Sequence, residues 1–385
     1  MEKLTSRERI LKAVNHKEPD RIPIDIGGTQ QTSLHRVAQK KLLEYFDKPF
    51  NDEVFDLIQQ LSRTEEFISK KFGNDCYLIM PNMSDDWELK VWSDNEASYF
   101  IDEWGIKYKK KHDGFYYDVW ESPLSEGTLD ALEKYKYPDP NNPGRVRGLK
   151  EKAKEAYENT DYAILMADGT WGLFLHTAVQ MGFEEFYTSI ITNEKLIRSI
   201  FEKNYEFEIQ YWENILNEVK DYVQFVCLSD DLGNQNGPMV NPKIYREWLK
   251  PLHKKLIEHI KNIADVKVFF HSCGSIKEFI PDFIEIGVDA LNPIQVSADS
   301  MDTSFLKKEY GKDIAFWGGG CDTQFVLANG SSKDVEKEVK KRIRDLAPGG
   351  GFVFAPVHNI QADVPPENIS VMYETVLENG DYPID

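Results

Sequence analysis

Cysteine is scarce in this chain: four in 385 residues, Cys76, Cys227, Cys273 and Cys321. That is too few for a disulfide scaffold at this length. In a reducing compartment, a cysteine cluster then points to metal binding or catalysis rather than to bridges. Positive charge is also short, with 46 Lys and Arg against 65 Asp and Glu and a formal net charge of -19. Such a surface repels phosphate backbones and anionic lipid, so neither nucleic acid nor a membrane is expected as a partner. No run of about 20 apolar residues occurs, so no membrane-spanning helix is expected. Residues 1–9 (MEKLTSRER) lack the apolar centre of a secretion signal, and a cytoplasmic location is expected. No P-loop, nucleophile elbow or dinucleotide fingerprint is present; Gly318-Gly-Gly and Gly349-Gly-Gly lack the required spacing.

What the chain does have is a repeated alternation. Short apolar runs at 22–26 (IPIDI), 77–80, 163–167, 225–228, 266–270, 290–294, 314–317 and 351–355 alternate with long helical stretches. Near-continuous apolar runs of this length read as strands buried on both faces, hence a parallel sheet. Eight of them predict an α/β fold closed as a single (β/α)8 barrel over residues 1–385. Residues 242–263 carry Tyr245, Trp248, Leu249, Leu252, Leu256 and Ile260 near a 3.6 period, with Pro251 expected to kink or split the helix. Residues 1–20 read as an N-terminal helix ended at Pro19. Residues 87–120, with alternating aromatic and polar side chains, read as a β-hairpin insertion after the second strand.

Barrel active sites lie at the carboxyl ends of the strands. The sequence there is polar and Gly-rich: Gly27-Gly-Thr-Gln, Asp168-Gly-Thr, Ser229-Asp-Asp, His271-Ser-Cys-Gly, Asn292-Pro-Ile-Gln, Gly318-Gly-Gly-Cys and Pro356-Val-His-Asn. Side chains two apart on an extended chain share a face, so His271 and Cys273 can both face the barrel axis. Cys321 follows the seventh strand, and inward residues of alternate strands share a layer. One imidazole and two thiols make a zinc set with a fourth position open, as in catalytic sites. The alternative is that both cysteines are small buried packing residues and His271 a core histidine; Cys76 and Cys227 are assigned to packing. Two thiolates and a neutral imidazole cancel the charge of Zn2+. Such a metal acidifies water weakly but still binds and deprotonates a thiol, which favours alkyl transfer over hydrolysis.

Asp230 and Asp231 are candidate catalytic carboxylates, since adjacent acids at a strand end can drive one pKa up; a helix cap plus turn is the competing reading. His358 is a candidate for ligand contact or proton donation. Asp168, Asn234, Gln235 and Asn292 are candidate substrate-binding residues, and Asp25 beside the first strand is a further polar group.

These residues carry a resemblance. The opening Ser6-Arg-Glu-Arg-Ile-Leu-Lys-Ala-Val-Asn-His-Lys-Glu-Pro-Asp-Arg-Ile-Pro, then Phe270-His-Ser-Cys-Gly, Gly318-Gly-Gly-Cys-Asp and Pro348-Gly-Gly-Gly-Phe-Val-Phe-Ala-Pro-Val-His-Asn-Ile-Gln, resemble the uroporphyrinogen decarboxylase-like superfamily. Within it, the His-x-Cys with a later Cys resembles the corrinoid-linked methyltransferases of anaerobes. The resemblance implies zinc on His271, Cys273 and Cys321, and a methyl group moved between a small donor or thiol acceptor and a corrinoid (cobalamin) protein partner. The decarboxylases carry an arginine-rich segment after the first strand; here the segment reads Ile26-Gly-Gly-Thr-Gln-Gln-Thr-Ser, without arginine. A metal-free decarboxylase and a non-catalytic barrel braced by zinc are the competing readings.

Overall fold

The computed structural model describes residues 3–167 and 171–384. Seven strands form one parallel sheet in chain order: β1 (Cys76–Ile79), β2 (Ala163–Ala167), β3 (Phe225–Ser229), β4 (Lys267–His271), β5 (Ala290–Asn292), β6 (Ala315–Trp317) and β7 (Phe352–Val353). Each lies within one of the expected apolar runs or overlaps all but its ends. The run at 22–26 is irregular rather than a strand, because Pro23 has no N–H for a ladder. It still touches both edges of the sheet. Asp25 N–H donates to Phe354 C=O and Phe354 N–H to Pro23 C=O, while Asp75 N–H, just ahead of β1, donates to Ile24 C=O, each at 2.8 Å.

Alternation along the strands sorts their side chains into two layers. Leu165, Phe225, Phe269, Ala290, Trp317 and Val353 meet on the inner face. Ile164, Val226, Phe270, Leu291, Phe316 and Phe352 pack outward under the helices. The strands are apolar except near their ends because both faces are covered. Helix α1 (Ser6–Val14) adds Ile10 and Val14 to the inner layer. Its start is set by Thr5, which forms a capping box with Glu8. It ends at Asn15, ahead of Pro19, so the expected helix over 1–20 is shorter than anticipated.

Residues 242–263 divide as the proline requires. A single turn, Pro242–Ile244, leads into a π-helical turn, Tyr245–Leu249, and then into a regular helix, Lys250–Ile263. Pro251 cannot donate to the turn before it, and the backbone widens there. The insertion is larger than a hairpin. Trp92–Ser93, Ala97–Ile101, Lys107–Lys111 and Asp118–Glu121 form a four-stranded antiparallel sheet. A second small antiparallel sheet, Leu34–His35, Leu61–Ser62 and Val54–Asp56, was not anticipated; its strands are two or three residues long and carry no usable period. Among the described residues, no helix is long and apolar enough to cross a membrane.

Asp25 is fully buried and accepts hydrogen bonds from Trp317 Nε1 at 2.8 Å and Gly28 N–H at 2.7 Å. Burial pushes its carboxyl up to about 6, against those donors. The folded chain therefore keeps this proton to higher pH than the unfolded chain does. Its contribution to stability falls as pH rises from about 4 to about 6, and is constant above that. Asp25→Asn should flatten that window. It should also cost about 1–3 kcal/mol, because one amide N–H must face either the indole or the Gly28 donor. Denaturant unfolding at several pH values between 4 and 7 checks both effects.

Candidate metal centre

The strand register places Ser229, His271 and Asn292 in one row across β3, β4 and β5. His271 follows Phe269 on the inner face, and the backbone runs on through Ser272 to Cys273. Ser272 points the other way, its Oγ accepting from Leu232 N–H at 3.1 Å. The period of two therefore holds past the strand end, and Cys273 Sγ lies 3.2 Å from His271 Nε2. Gly274 makes the exit. At φ +88 it passes so close to Gly233 that a Cβ would lie 2.4 Å from a backbone carbon.

The third member of the cluster is His358. Donor atoms of His271, Cys273 and His358 all lie within 4.8 Å of one another, and the two imidazole centroids are 5.6 Å apart. Tetrahedral zinc, with bonds of about 2.0–2.3 Å, separates its ligand atoms by roughly 3.5 Å, so this spacing suits one ion. Asp231 Oδ1 adds a carboxylate 3.6 Å from His271 Nε2 while accepting Cys273 N–H at 2.8 Å.

Asn292 sets the donor atom of His271. Its Nδ2 donates to Trp317 C=O at 2.9 Å, which turns Oδ1 toward His271 Nδ1 at 2.5 Å. Nδ1 must then carry the proton, leaving the Nε2 lone pair to the cluster. Burial lowers the pKa of His271, against Asp231 and Asn292. Burial, reinforced by His271, lowers His358 to about 4. Both rings are therefore neutral near pH 7, as metal ligation requires. Burial, with Asp231, pushes the Cys273 thiol well up, so binding a cation would release its proton. Two neutral imidazoles, a thiol and a carboxylate form a donor set that fits a borderline divalent ion such as zinc.

Cys321 is not part of this group, contrary to the expectation from sequence. It is fully buried in the outer layer, its Sγ 3.9 Å from Asp322 C=O. Strict alternation from Ala315 and Trp317 would have carried it inward. Gly318 and Gly319, at φ +88 and +80, break that alternation.

The other candidates take different places. Asp230 is fully buried and points away from the cluster. Its oxygens accept the N–H groups of Leu173, Phe174 and Leu175 at 2.9–3.2 Å, and His253 Nε2 lies 3.1 Å away. These donors and His253 fix both carboxylate oxygens in the core. Asp230 is therefore an anchor and not a free catalytic acid. Asn292 orients His271 and is closed to substrate. Asn234 is exposed, its Oδ1 accepting from Asn236 and Gly237 N–H. Gln235 accepts from Gln295 Nε2 at 2.9 Å, and Gln295 in turn accepts Gly274 N–H at 2.8 Å. That network braces the loop after Cys273. Asp168 lies outside the described residues.

A cavity of about 160 Å3 opens on the cluster, lined by Gln30, Gln31, Gln59, Trp171, Leu175, Ser229, Asp231, His271 and His358. None of these is a cation. Gln30 and Gln31 stand in the strand-end segments singled out from sequence, and Trp171 follows one of them. Gln59 carried no signal; its amide is held by Asp56 and Asn359. Asn292→Ala should leave the protein folded and weaken metal binding about 10–100-fold, measured by chelator competition beside a thermal unfolding curve.

The family model for uroporphyrinogen decarboxylase (URO-D) matches residues 119–378. The uroporphyrinogen decarboxylase of Rickettsia felis is 23% identical over 269 residues, covering 67% of this chain and 73% of its own length. That of Legionella pneumophila strain Paris is 24% identical over 165 residues, covering 43% of this chain and 44% of its own. Among solved structures, a methyltransferase from Methanosarcina mazei superposes with a TM-score of 0.63 at 15% identity, covering 98% of this chain and 99% of that one, which shows a shared fold.

Proposed function

This chain belongs to the uroporphyrinogen decarboxylase family, and we propose that within it the chain is a zinc-dependent methyltransferase, moving a methyl group between a small donor or thiol acceptor and a corrinoid protein. The observation that carries the reading is the convergence of His271, Cys273 and His358, with Asp231 beside them, on one small cavity at the strand ends. A porphyrinogen carries many carboxylates and would need cations and a far larger space. The described lining offers no cation and about 160 Å3. The methyl-transfer part of the reading draws on the Methanosarcina mazei neighbour and on the donor chemistry. The same reading takes residues 22–26 as the eighth stave of a closed (β/α)8 barrel.

His271, Cys273 and His358 would hold the ion, with Asp231 as a fourth ligand or as a neighbouring base. When bound, zinc supplies Lewis acidity that favours the anionic form of the sulfur or oxygen at the methyl group being moved. The protein does the rest. Asn292 keeps the His271 lone pair aimed at the cavity. Asp231 is placed to take the proton that a thiol must lose. Trp171 and Leu175 give the small molecule an apolar wall, and Gln30, Gln31 and Gln59 a polar one. Asn359 and Asp56 hold the Gln59 amide fixed, so that wall is set before substrate arrives.

Protein purified without chelator should hold close to one zinc per chain by elemental analysis. Cys273→Ser and His358→Ala should lose it, while Cys321→Ser should keep it. The zinc-loaded protein should form methylcobalamin from cob(I)alamin and a methyl donor, or demethylate methylcobalamin with a thiol, followed by absorbance. Metal-free wild-type protein that decarboxylates a porphyrinogen would replace this reading with the decarboxylase one. Unfolding of Cys273→Ser would favour a zinc that only braces the mouth.

A further inference from the structure

The geometry points to Asp230 and His253 as positioning residues that set the substrate-side wall of the cavity, Trp171 and Leu175, without touching the metal or the substrate. This rests on the methyl-transfer reading for its kinetic consequence only.

Helix α2 (Phe174–Met181) begins immediately beside the cavity. The residue in its N-cap position, Leu173, has no side chain able to accept a hydrogen bond, so the first-turn N–H groups need an acceptor from elsewhere. Asp230 supplies it across the barrel mouth. Oδ2 accepts Leu173 N–H at 3.2 Å and Phe174 N–H at 2.9 Å, and Oδ1 accepts Phe174 N–H at 3.1 Å and Leu175 N–H at 2.9 Å. The same residues carry the wall. Leu175 lines the cavity itself, and Trp171 lies one residue before Gly172. Gly172, at φ +77, is tucked against the strand end, where a Cβ would lie 2.0 Å from Ser229 C=O and 2.8 Å from Asp230 Cγ. The backbone that presents Trp171 is therefore pressed onto Asp230 on one side and bonded to it on the other.

His253 fixes Asp230 in turn. It is buried on the helix Lys250–Ile263, with Nε2 3.1 Å from Asp230 Oδ2. Its ring is wedged between Tyr245, at 5.9 Å, and Phe270, at 5.5 Å. Among the described residues its Nδ1 has no hydrogen-bond partner, so the interaction with Asp230 is the polar contact that orients the ring. Loss of that donor would free the carboxylate to turn and slacken its grip on residues 173–175. The metal ligands, carried by β4 and its continuation to Cys273 and by the segment after β7, would stay in place.

The test uses the full chain with zinc bound, in three variants. His253→Leu removes the donor, His253→Gln restores one at similar reach, and Asp230→Asn weakens the acceptor. Amide hydrogen exchange over residues 172–181 should quicken about tenfold or more in His253→Leu, the change in local opening that loss of one hydrogen bond to the carboxylate produces. Exchange over residues 267–273 and zinc content should not change. KM for the thiol or methyl donor should rise in His253→Leu with kcat much less affected, and His253→Gln should return both toward wild type. Should His253→Leu fail to fold, Asp230→Asn is read by the same measurements. Unaltered exchange at 172–181, acceleration spread over the whole chain, or a selective loosening with unchanged KM would each overturn the proposal. If the wild type shows no methyl transfer, the exchange and zinc results still decide the clamp, and only the functional reading falls.

Discussion

One hydrogen bond organises the site: Asn292 Oδ1 accepting from His271 Nδ1. It exists because parallel pairing brings the ends of β4 and β5 to the same height, His271 opposite Asn292. The Asn292 amide cannot flip, since its nitrogen is committed to the Trp317 carbonyl at the end of β6. Three neighbouring strands thus agree on a single tautomer for one imidazole. Trp317 is itself held from below, its indole donating to Asp25. The donor geometry at the mouth is continuous with the packing of the inner layer.

The pair Asp230 and Asp231 shows how one strand end serves two purposes. Consecutive residues on an extended chain point to opposite sides. Asp230 turns back into the fold and takes up the start of α2, while Asp231 turns to the cavity and stands by His271. The fold gives each carboxylate its own donors: backbone N–H groups of residues 173–175 for Asp230, and Cys273 N–H for Asp231.

Two small antiparallel sheets follow residues 22–26 and β1. Tyr117 N–H donates to Ile58 C=O at 2.9 Å, next to Gln59. His35 Nε2 lies 3.3 Å from Phe115 C=O. Residues that line the cavity are thereby tied to an insertion that carries no chemical group of the cluster. The cavity's chemistry rests on the strand ends, and the insertion braces the segment that carries Gln59.

How much was legible follows from the range of each interaction. The parallel α/β architecture and the seven strands could be read from residues alone, because burial on both faces imposes apolar runs that need no partner to be seen. His271 and Cys273 could be read as a pair for the same reason: their common face is a property of three consecutive extended residues. Asn292 and Asp231 were recognised as polar groups at the right place, but their roles were not, since a role depends on which atom of a neighbouring strand is already engaged. His253 was invisible as a site residue, being distant in sequence from the Asp230 it holds, whereas Trp171 directly follows the Asp168-Gly-Thr segment.

The third ligand marks the boundary between the two kinds of information. The sequence by itself determined that strand-end residues of a parallel α/β fold would bear a His-x-Cys pair, because periodicity is local. Only the tertiary structure decided that His358, and not Cys321, joins that pair. Two left-handed glycines reset which way the chain faces after β6, and no count of residues along the sequence registers such a reversal.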